Sequence, residues 1–124
     1  MLDPQMIQTR GFRNTADGFE VRLRLPYYRG VWTNLIVGAT IAVDDVAVPA
    51  AEIRWSIGGA RVSLESDATR WPVDVPAVLS VPRAEPLTIG FHTVAAELRL
   101  TMSYIPEELQ PTVWTEQRRL VITR

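Results

Sequence analysis

Cysteine and lysine are both absent from the 124 residues, and histidine occurs once, as His92. Each absence removes a kind of chemistry. Without cysteine there is no thiol nucleophile, no disulfide and no thiolate metal site, so a zinc finger is excluded. Without lysine there is no Schiff-base chemistry and no P-loop lysine on a nucleotide phosphate. A single imidazole cannot build a multi-histidine centre, so a metal site would need carboxylates or a second chain. Catalysis by this chain alone would have to draw on Asp, Glu, Arg, Tyr, Ser, Thr or His92. Neither Gly-x-Ser-x-Gly nor Gly-x-Gly-x-x-Gly is present.

Net charge and long apolar runs are scarce as well. Thirteen basic residues, all arginine, against 14 acidic ones leave a formal charge of −1, too weak a field to gather nucleic acid or an anionic membrane surface. Neither is expected as a partner. No stretch approaches the roughly 18 apolar residues of a membrane span. Met1 to Arg10 carries Asp3 and Pro4 where a secretory leader would need basic and then apolar residues. The expectation is a cytoplasmic protein folded as one domain over residues 1–124.

What the chain does have is punctuation and alternation. Nine prolines and seven glycines cut it into short pieces, and most pieces alternate apolar and polar residues with period two, as half-buried strands do. Phe19, Val21, Leu23 and Leu25 share one face against Glu20, Arg22 and Arg24, and Pro26 closes the run. Asn34 to Val43 is nearly continuous and β-branched, with Gly38 as a bulge candidate, and Asp44-Asp45 turns it toward Val46-Ala47-Val48. Ile53, Trp55 and Ile57 alternate up to Gly58-Gly59, a hairpin dipeptide, with a return strand at Arg61 to Leu64. Between Glu65 and Trp71 at most one helical turn fits, and Pro72 stops it. Strands are expected again at Ala77 to Val81 and Val94 to Tyr104, then, after a loop over Ile105 to Thr112, an edge strand at Arg119 to Thr123. Eight to ten short strands without a helix predict an all-β antiparallel sandwich of jelly-roll type.

Candidate functional residues fall into four groups. Pro26-Tyr27-Tyr28-Arg29-Gly30, with Trp32 close behind, sets two tyrosines beside an arginine on a loop, a composition enriched in interface hot spots and sugar-binding surfaces. The same residues could equally cap the core, with Arg29 paired to a carboxylate. Of the four tryptophans, Trp55 shares an apolar strand face and reads as core, whereas Trp32, Trp71 and Trp114 lie near loops and are candidates for a contact surface, with core packing expected for at least one of them. Asp44-Asp45 and Glu107-Glu108 read as a turn and a solvated loop rather than as a glycosidase pair, because adjacent residues point apart. His92 has no carboxylate or serine partner nearby in sequence and reads as a surface or turn residue rather than a general base.

Several stretches together resemble the small, β subunit of bacterial C-glycoside deglycosidases. They are Ile7 to Asn14, Gly18 to Arg24 leading into Tyr27-Tyr28-Arg29-Gly30, Val43-Asp44 with its hairpin, Ile53-Arg54-Trp55, Trp71-Pro72 and Ser103-Tyr104-Ile105-Pro106. Asp44-Asp45 departs from the Asp-Gly turn of that pattern, and the segment after Leu64 lacks its aromatic-rich form. The resemblance implies a heteromeric carbon–carbon lyase acting on 3-oxo-C-glucosides. A TIM-barrel-like α subunit would carry a divalent manganese or magnesium ion and the catalytic histidine. The β subunit would be a docked β-sandwich with no cofactor and no catalytic residue of its own, touching partner or substrate through Tyr27, Tyr28, Arg29, Gly30 and Trp32. A stand-alone carbohydrate-binding sandwich using Trp32, Trp71 or Trp114 is the alternative, and a small enzyme built on His92 a third reading.

Overall fold

A computed structural model of the chain describes residues 4–66, 68–102 and 105–123. These form eleven strands and three short 3-10 turns, with no α-helix among the described residues. The strands are β1 (Arg13–Asn14), β2 (Gly18–Leu23), β3 (Val31–Trp32), β4 (Ile36–Val43), β5 (Val46–Val48), β6 (Arg54–Ile57), β7 (Ala60–Val62), β8 (Arg70–Trp71), β9 (Ala77–Pro82), β10 (Gly90–Leu100) and β11 (Thr112–Ile122). One sheet has the order β1-β2-β9-β6-β7, a second β11-β10-β4-β5, and a small ribbon joins β3 to β8. All the pairings are antiparallel.

Period-two alternation accounts for the packing. Val21, Leu23, Trp55 and Leu79 of the first sheet meet Ala39, Ile41, Val94, Ala96 and Leu98 of the second in one buried cluster. The antiparallel all-β sandwich expected from the sequence is therefore what forms. Its wiring, however, follows the immunoglobulin-type order rather than that of a jelly roll. A jelly roll would pair the first strand with the last, whereas here β11 hydrogen-bonds β10 in the sheet opposite β1 and β2. Local hairpins, β4 with β5, β6 with β7 and β10 with β11, dominate the connections.

Turn chemistry is largely as the residue types dictate. Gly58 and Gly59 both have positive φ, as a two-residue hairpin requires. Asp44 and Asp45 take the same left-handed conformation, at φ 51° and 67°, which aspartate tolerates better than most side chains. Opposite β10 the register skips Val37, so Gly38 does sit at a bulge. Arg99 crosses the backbone there, and a Cβ added to Gly38 would lie 2.5 Å from its guanidinium.

The two largest boundary differences from the sequence expectation lie in the last two strands. The strand placed at Val94 to Tyr104 runs instead from Gly90 to Leu100, and Tyr104 lies outside the described residues, as does Ser103 of the resemblance motif. The edge strand placed at Arg119 to Thr123 is eleven residues long and begins at Thr112. Its alternation is masked because the inward positions Glu116 and Arg118 are charged. The reason lies in the N-terminal segment, which pairs with the far end of β2: Ile7 bridges Leu23, and the Arg24 N–H donates to the Met6 carbonyl at 2.7 Å. Glu116 accepts the Met6 and Ile7 N–H groups at 3.2 and 2.7 Å, and Arg118 donates to the Ile7 carbonyl at 2.8 Å. Side chains thus satisfy backbone groups that no neighbouring strand reaches, and seal one seam of the sandwich.

The antiparallel register gives the sandwich two distinct ends. β2 finishes where β4 begins and β10 finishes, beside the β3–β8 ribbon; the β4–β5 turn and the start of β10 lie at the opposite end.

Candidate docking site at the tyrosine end

Pro26 follows the last buried residue of the β2 run, Leu25, and releases the chain into the loop of Tyr27 to Gly30. Tyr27 is half-buried and packs against the core, its ring edge-on to Trp114 at 6.4 Å between centroids. Tyr28 is 75% exposed, with its ring tilted against Tyr27 at 4.5 Å. Arg29 lies over the Tyr28 ring at 5.5 Å, within cation–π range. The Tyr28 hydroxyl is held above its usual range, first by the neighbouring Tyr27 hydroxyl and against the pull of Arg29, so at neutral pH it stays protonated, able to donate and accept.

The ribbon supplies the other wall. Thr33 and Thr69 exchange hydrogen bonds at 2.8 and 2.9 Å, which extends the β3–β8 pairing by one residue on each strand. In that register Trp32 stands opposite Arg70. Strand alternation turns Trp71 inward and Arg70 outward, and the Arg70 guanidinium lies over the Trp32 ring at 5.8 Å. Gly30 is where Arg70 crosses the loop. A Cβ added there would lie 2.9 Å from the Arg70 Nε and 2.9 Å from the Trp71 carbonyl oxygen, closer than side chains can approach without displacement, so the position requires glycine.

Between these walls lies a cleft of about 270 Å³ lined by Tyr27, Arg29, Trp32, Leu35, Arg70 and Met102 among others. Gln110 fixes Met102 by accepting its N–H at 2.9 Å and donating to its carbonyl. Among the described residues no carboxylate lines the cleft, and neither Arg29 nor Arg70 forms a salt bridge. All five residues singled out from the sequence, Tyr27, Tyr28, Arg29, Gly30 and Trp32, are thus gathered at one end. Arg70 joins them unanticipated: its register with Trp32 spans 38 positions of chain, and no local pattern announces it.

The tryptophans separate into different roles. Trp55 is core, as expected, and Trp32 is 49% exposed. Of the three candidates near loops, Trp71 is the one that packs in the core: it is fully buried, edge-on to Trp55 at 5.6 Å, with its indole N–H donating to the Val75 carbonyl at 3.0 Å. A flat platform of Trp32, Trp71 and Trp114 does not form, because the two-residue strand β8 points Trp71 into the core. A larger depression, about 540 Å³, lies on the outer face of the β11-β10-β4-β5 sheet around Ala42, Ala47 and Ala95. It is a patch of short side chains with no aromatic residue.

His92 overturns its sequence reading. Rather than a surface or turn residue it is buried, at 6% exposure, and it has a carboxylate partner 48 positions away. Its Nδ1 lies 2.6 Å from Asp44 Oδ2, and its Nε2 lies 2.7 Å from the Thr88 carbonyl oxygen. Both ring nitrogens face acceptors, an arrangement that favours the doubly protonated imidazolium. The Thr88 carbonyl, and after it Asp44, raise its pKa against the opposing effect of burial; His92 in turn lowers that of Asp44, helped by the Thr93 N–H on Asp44 Oδ1 at 2.9 Å. An imidazole committed as a double donor has no lone pair with which to take a proton. His92 ties the Asp44-Asp45 turn to β10 and to the Thr88 loop, and is a structural clasp.

Among the described residues no three His, Asp or Glu side chains come close enough to hold a metal ion. Among the described residues no helix is long and apolar enough to cross a membrane.

Comparison with known proteins is consistent along most of the chain. The family profile for the C-glycoside deglycosidase beta subunit matches residues 2–104, which include every cleft residue named above. The chain is 32% identical to the C-glycoside deglycosidase beta subunit of Eubacterium cellulosolvens, an alignment covering 97% of this chain and 88% of that one. It is 34% identical to the protein of the same name from Arthrobacter globiformis over 73% of each chain, and 32% identical to that from Microbacterium trichothecenolyticum over 64% of each.

Proposed function

The chain belongs to the C-glycoside deglycosidase beta subunit family, and from that premise we propose that it is the supporting subunit of a heteromeric lyase, docking through its tyrosine end on a catalytic α subunit. The observation that carries the proposal is the gathering of Tyr27, Tyr28, Arg29, Gly30, Trp32 and Arg70 around one cleft with no carboxylate among its described lining residues. Exposed aromatic and arginine side chains on a rigid base are the composition of interface hot spots. The α subunit is read as a TIM-barrel-like chain that carries the divalent manganese or magnesium ion and the catalytic histidine, and the complex as cytoplasmic.

The reaction assigned to the complex is β-elimination from a C-glucoside already oxidised at C3. The ketone acidifies the C2 proton, a base on the α subunit removes it, and the electron pair forms the C1–C2 double bond. The bond from C1 to the aromatic aglycone breaks, and its pair goes to the aryl carbon, which takes up a proton. In this reading the base does not come from the β chain: His92 is held between Asp44 and the Thr88 carbonyl, and among the described residues no carboxylate lines the cleft.

Co-expression with the α subunit tests this. Tyr28→Ala and Arg29→Ala should each reduce co-purification or turnover of the complex while leaving the β chain folded. Unchanged assembly and turnover in both variants would exclude the tyrosine end as the docking surface.

A further inference from the structure

Docking at the tyrosine end has an electrostatic requirement that the cleft cannot meet by itself. Arg29 and Arg70 bring two guanidinium groups into one cleft, and neither has a carboxylate partner among the described residues. Their present neighbours are the faces of Tyr28 and Trp32. In water this costs little, because solvent reaches the groups' N–H donors. Under a covering protein surface those donors lose their water, and a buried cation without a counter-charge is strongly unfavourable. A neutral or basic partner would therefore be rejected.

Geometry restricts the counter-charge further. Arg70 is held along its length: it crosses Gly30 at a distance that leaves no room for a Cβ and its head rests over the Trp32 ring, while the β3–β8 register and the Thr33–Thr69 bonds fix the backbone beneath it. A guanidinium restrained in this way presents its N–H fork in one direction, and the planar group that satisfies such a fork is a carboxylate.

Building on the docking reading, we infer that Arg29 and Arg70 form a receptor for the carboxylate side chains of an acidic segment of the α subunit, with Trp32 and Tyr28 as the stacking surfaces that aim the two cations. Gly30 is a positioning residue in this arrangement, since it permits the crossing of Arg70. The wall residues Tyr27, Leu35 and Met102 contribute apolar area around the pair.

The test is the affinity of the β chain for the α subunit as a function of salt, for the full-length chains. Wild-type affinity should fall as ionic strength rises. Arg70→Gln and Arg29→Gln should each weaken binding about ten- to a hundredfold at low salt and flatten the salt dependence. Arg70→Lys, which keeps the charge but loses the fork, should recover only part of the loss. Tyr28→Ala should weaken binding with the salt slope unchanged. Arg29 is an exposed loop residue lying over the exposed Tyr28 ring, so Arg29→Gln keeps the test valid even if Arg70→Gln disturbs the ribbon. If both arginine variants bind with wild-type affinity and slope while Tyr28→Ala still impairs assembly, the carboxylate receptor is refuted and the docking reading stands. If none of the three changes affinity, both fall. If the arginine variants assemble normally but raise KM for the 3-oxo-C-glucoside, the cations serve the substrate and the inference of an acidic partner segment is overturned.

Discussion

At the histidine end of the sandwich charged groups pair with each other, whereas the two arginines of the tyrosine end have no carboxylate partner among the described residues. Asp44 accepts from both His92 and the Thr93 N–H, His92 donates to the Thr88 carbonyl, and Asn14 exchanges two bonds of 2.8 Å with Leu87. Phe12 closes over this set, edge-on to both His92 and Phe19. At the tyrosine end the Arg29 and Arg70 guanidinium groups lie on aromatic faces. Both ends have to stop an apolar core from meeting water. Only one does so with a finished network, and the difference marks the unfinished end as the one that another molecule completes.

The largest effect should come from a residue that lies beneath the open end but belongs to the core. Trp71→Ala removes a fully buried indole that supports the ribbon, and should cost about 3–5 kcal/mol. Chemical denaturation would show it. Such a loss would abolish binding by unfolding, so it distinguishes support from contact: Trp71→Phe should recover much of the stability, and with it the affinity.

His92→Ala comes next. It removes a buried double donor and leaves the Thr88 carbonyl short of its partner, at a cost of about 1–3 kcal/mol, with no change in affinity for the α subunit once folded. The effect should depend on pH in a definite direction. The folded His92 pKa is raised, so its contribution is complete below the ordinary imidazole value, near 6.5, and is lost as pH rises through the folded value. Asp44 is lowered, so its contribution is complete above the ordinary carboxylate value, near 3.9, and is lost as pH falls through its folded value. The stability gap between wild type and His92→Ala should therefore be widest at about pH 5–6 and shrink on the alkaline side. A gap that grew from pH 6 to pH 9 would contradict the imidazolium clasp. Smallest in stability, within about 0.5 kcal/mol, should be Tyr28→Ala, whose consequence lies in binding.

How much of this the sequence discloses differs between the two ends. The Tyr27-Tyr28-Arg29-Gly30 loop is legible because its residues are adjacent, and alternation placed Phe19, Val21, Leu23, Leu25, Ile53, Trp55 and Ile57 correctly in the core. The Asp44-Asp45 turn was legible from residue type alone. Invisible were the pairings that depend on register between distant strands: Asp44 with His92, Trp32 with Arg70, and Glu116 with the Met6 and Ile7 amides. Strand β11 was hidden for the same reason, since charged side chains at inward positions look like a loop until the backbone groups they satisfy are known. The direction of Trp71 was ambiguous because β8 has two residues, too few for alternation to show.

Amide hydrogen exchange of the β chain, free and bound to the α subunit, addresses the docking surface without any substitution. Slowed exchange should be confined to the amides of residues 27–32 and 69–71, while those at 44–45 and 88–93, already closed by their own network, should be unaltered. Protection of the histidine end or of the outer sheet face around Ala42 and Ala95, with residues 27–32 unchanged, would contradict the account.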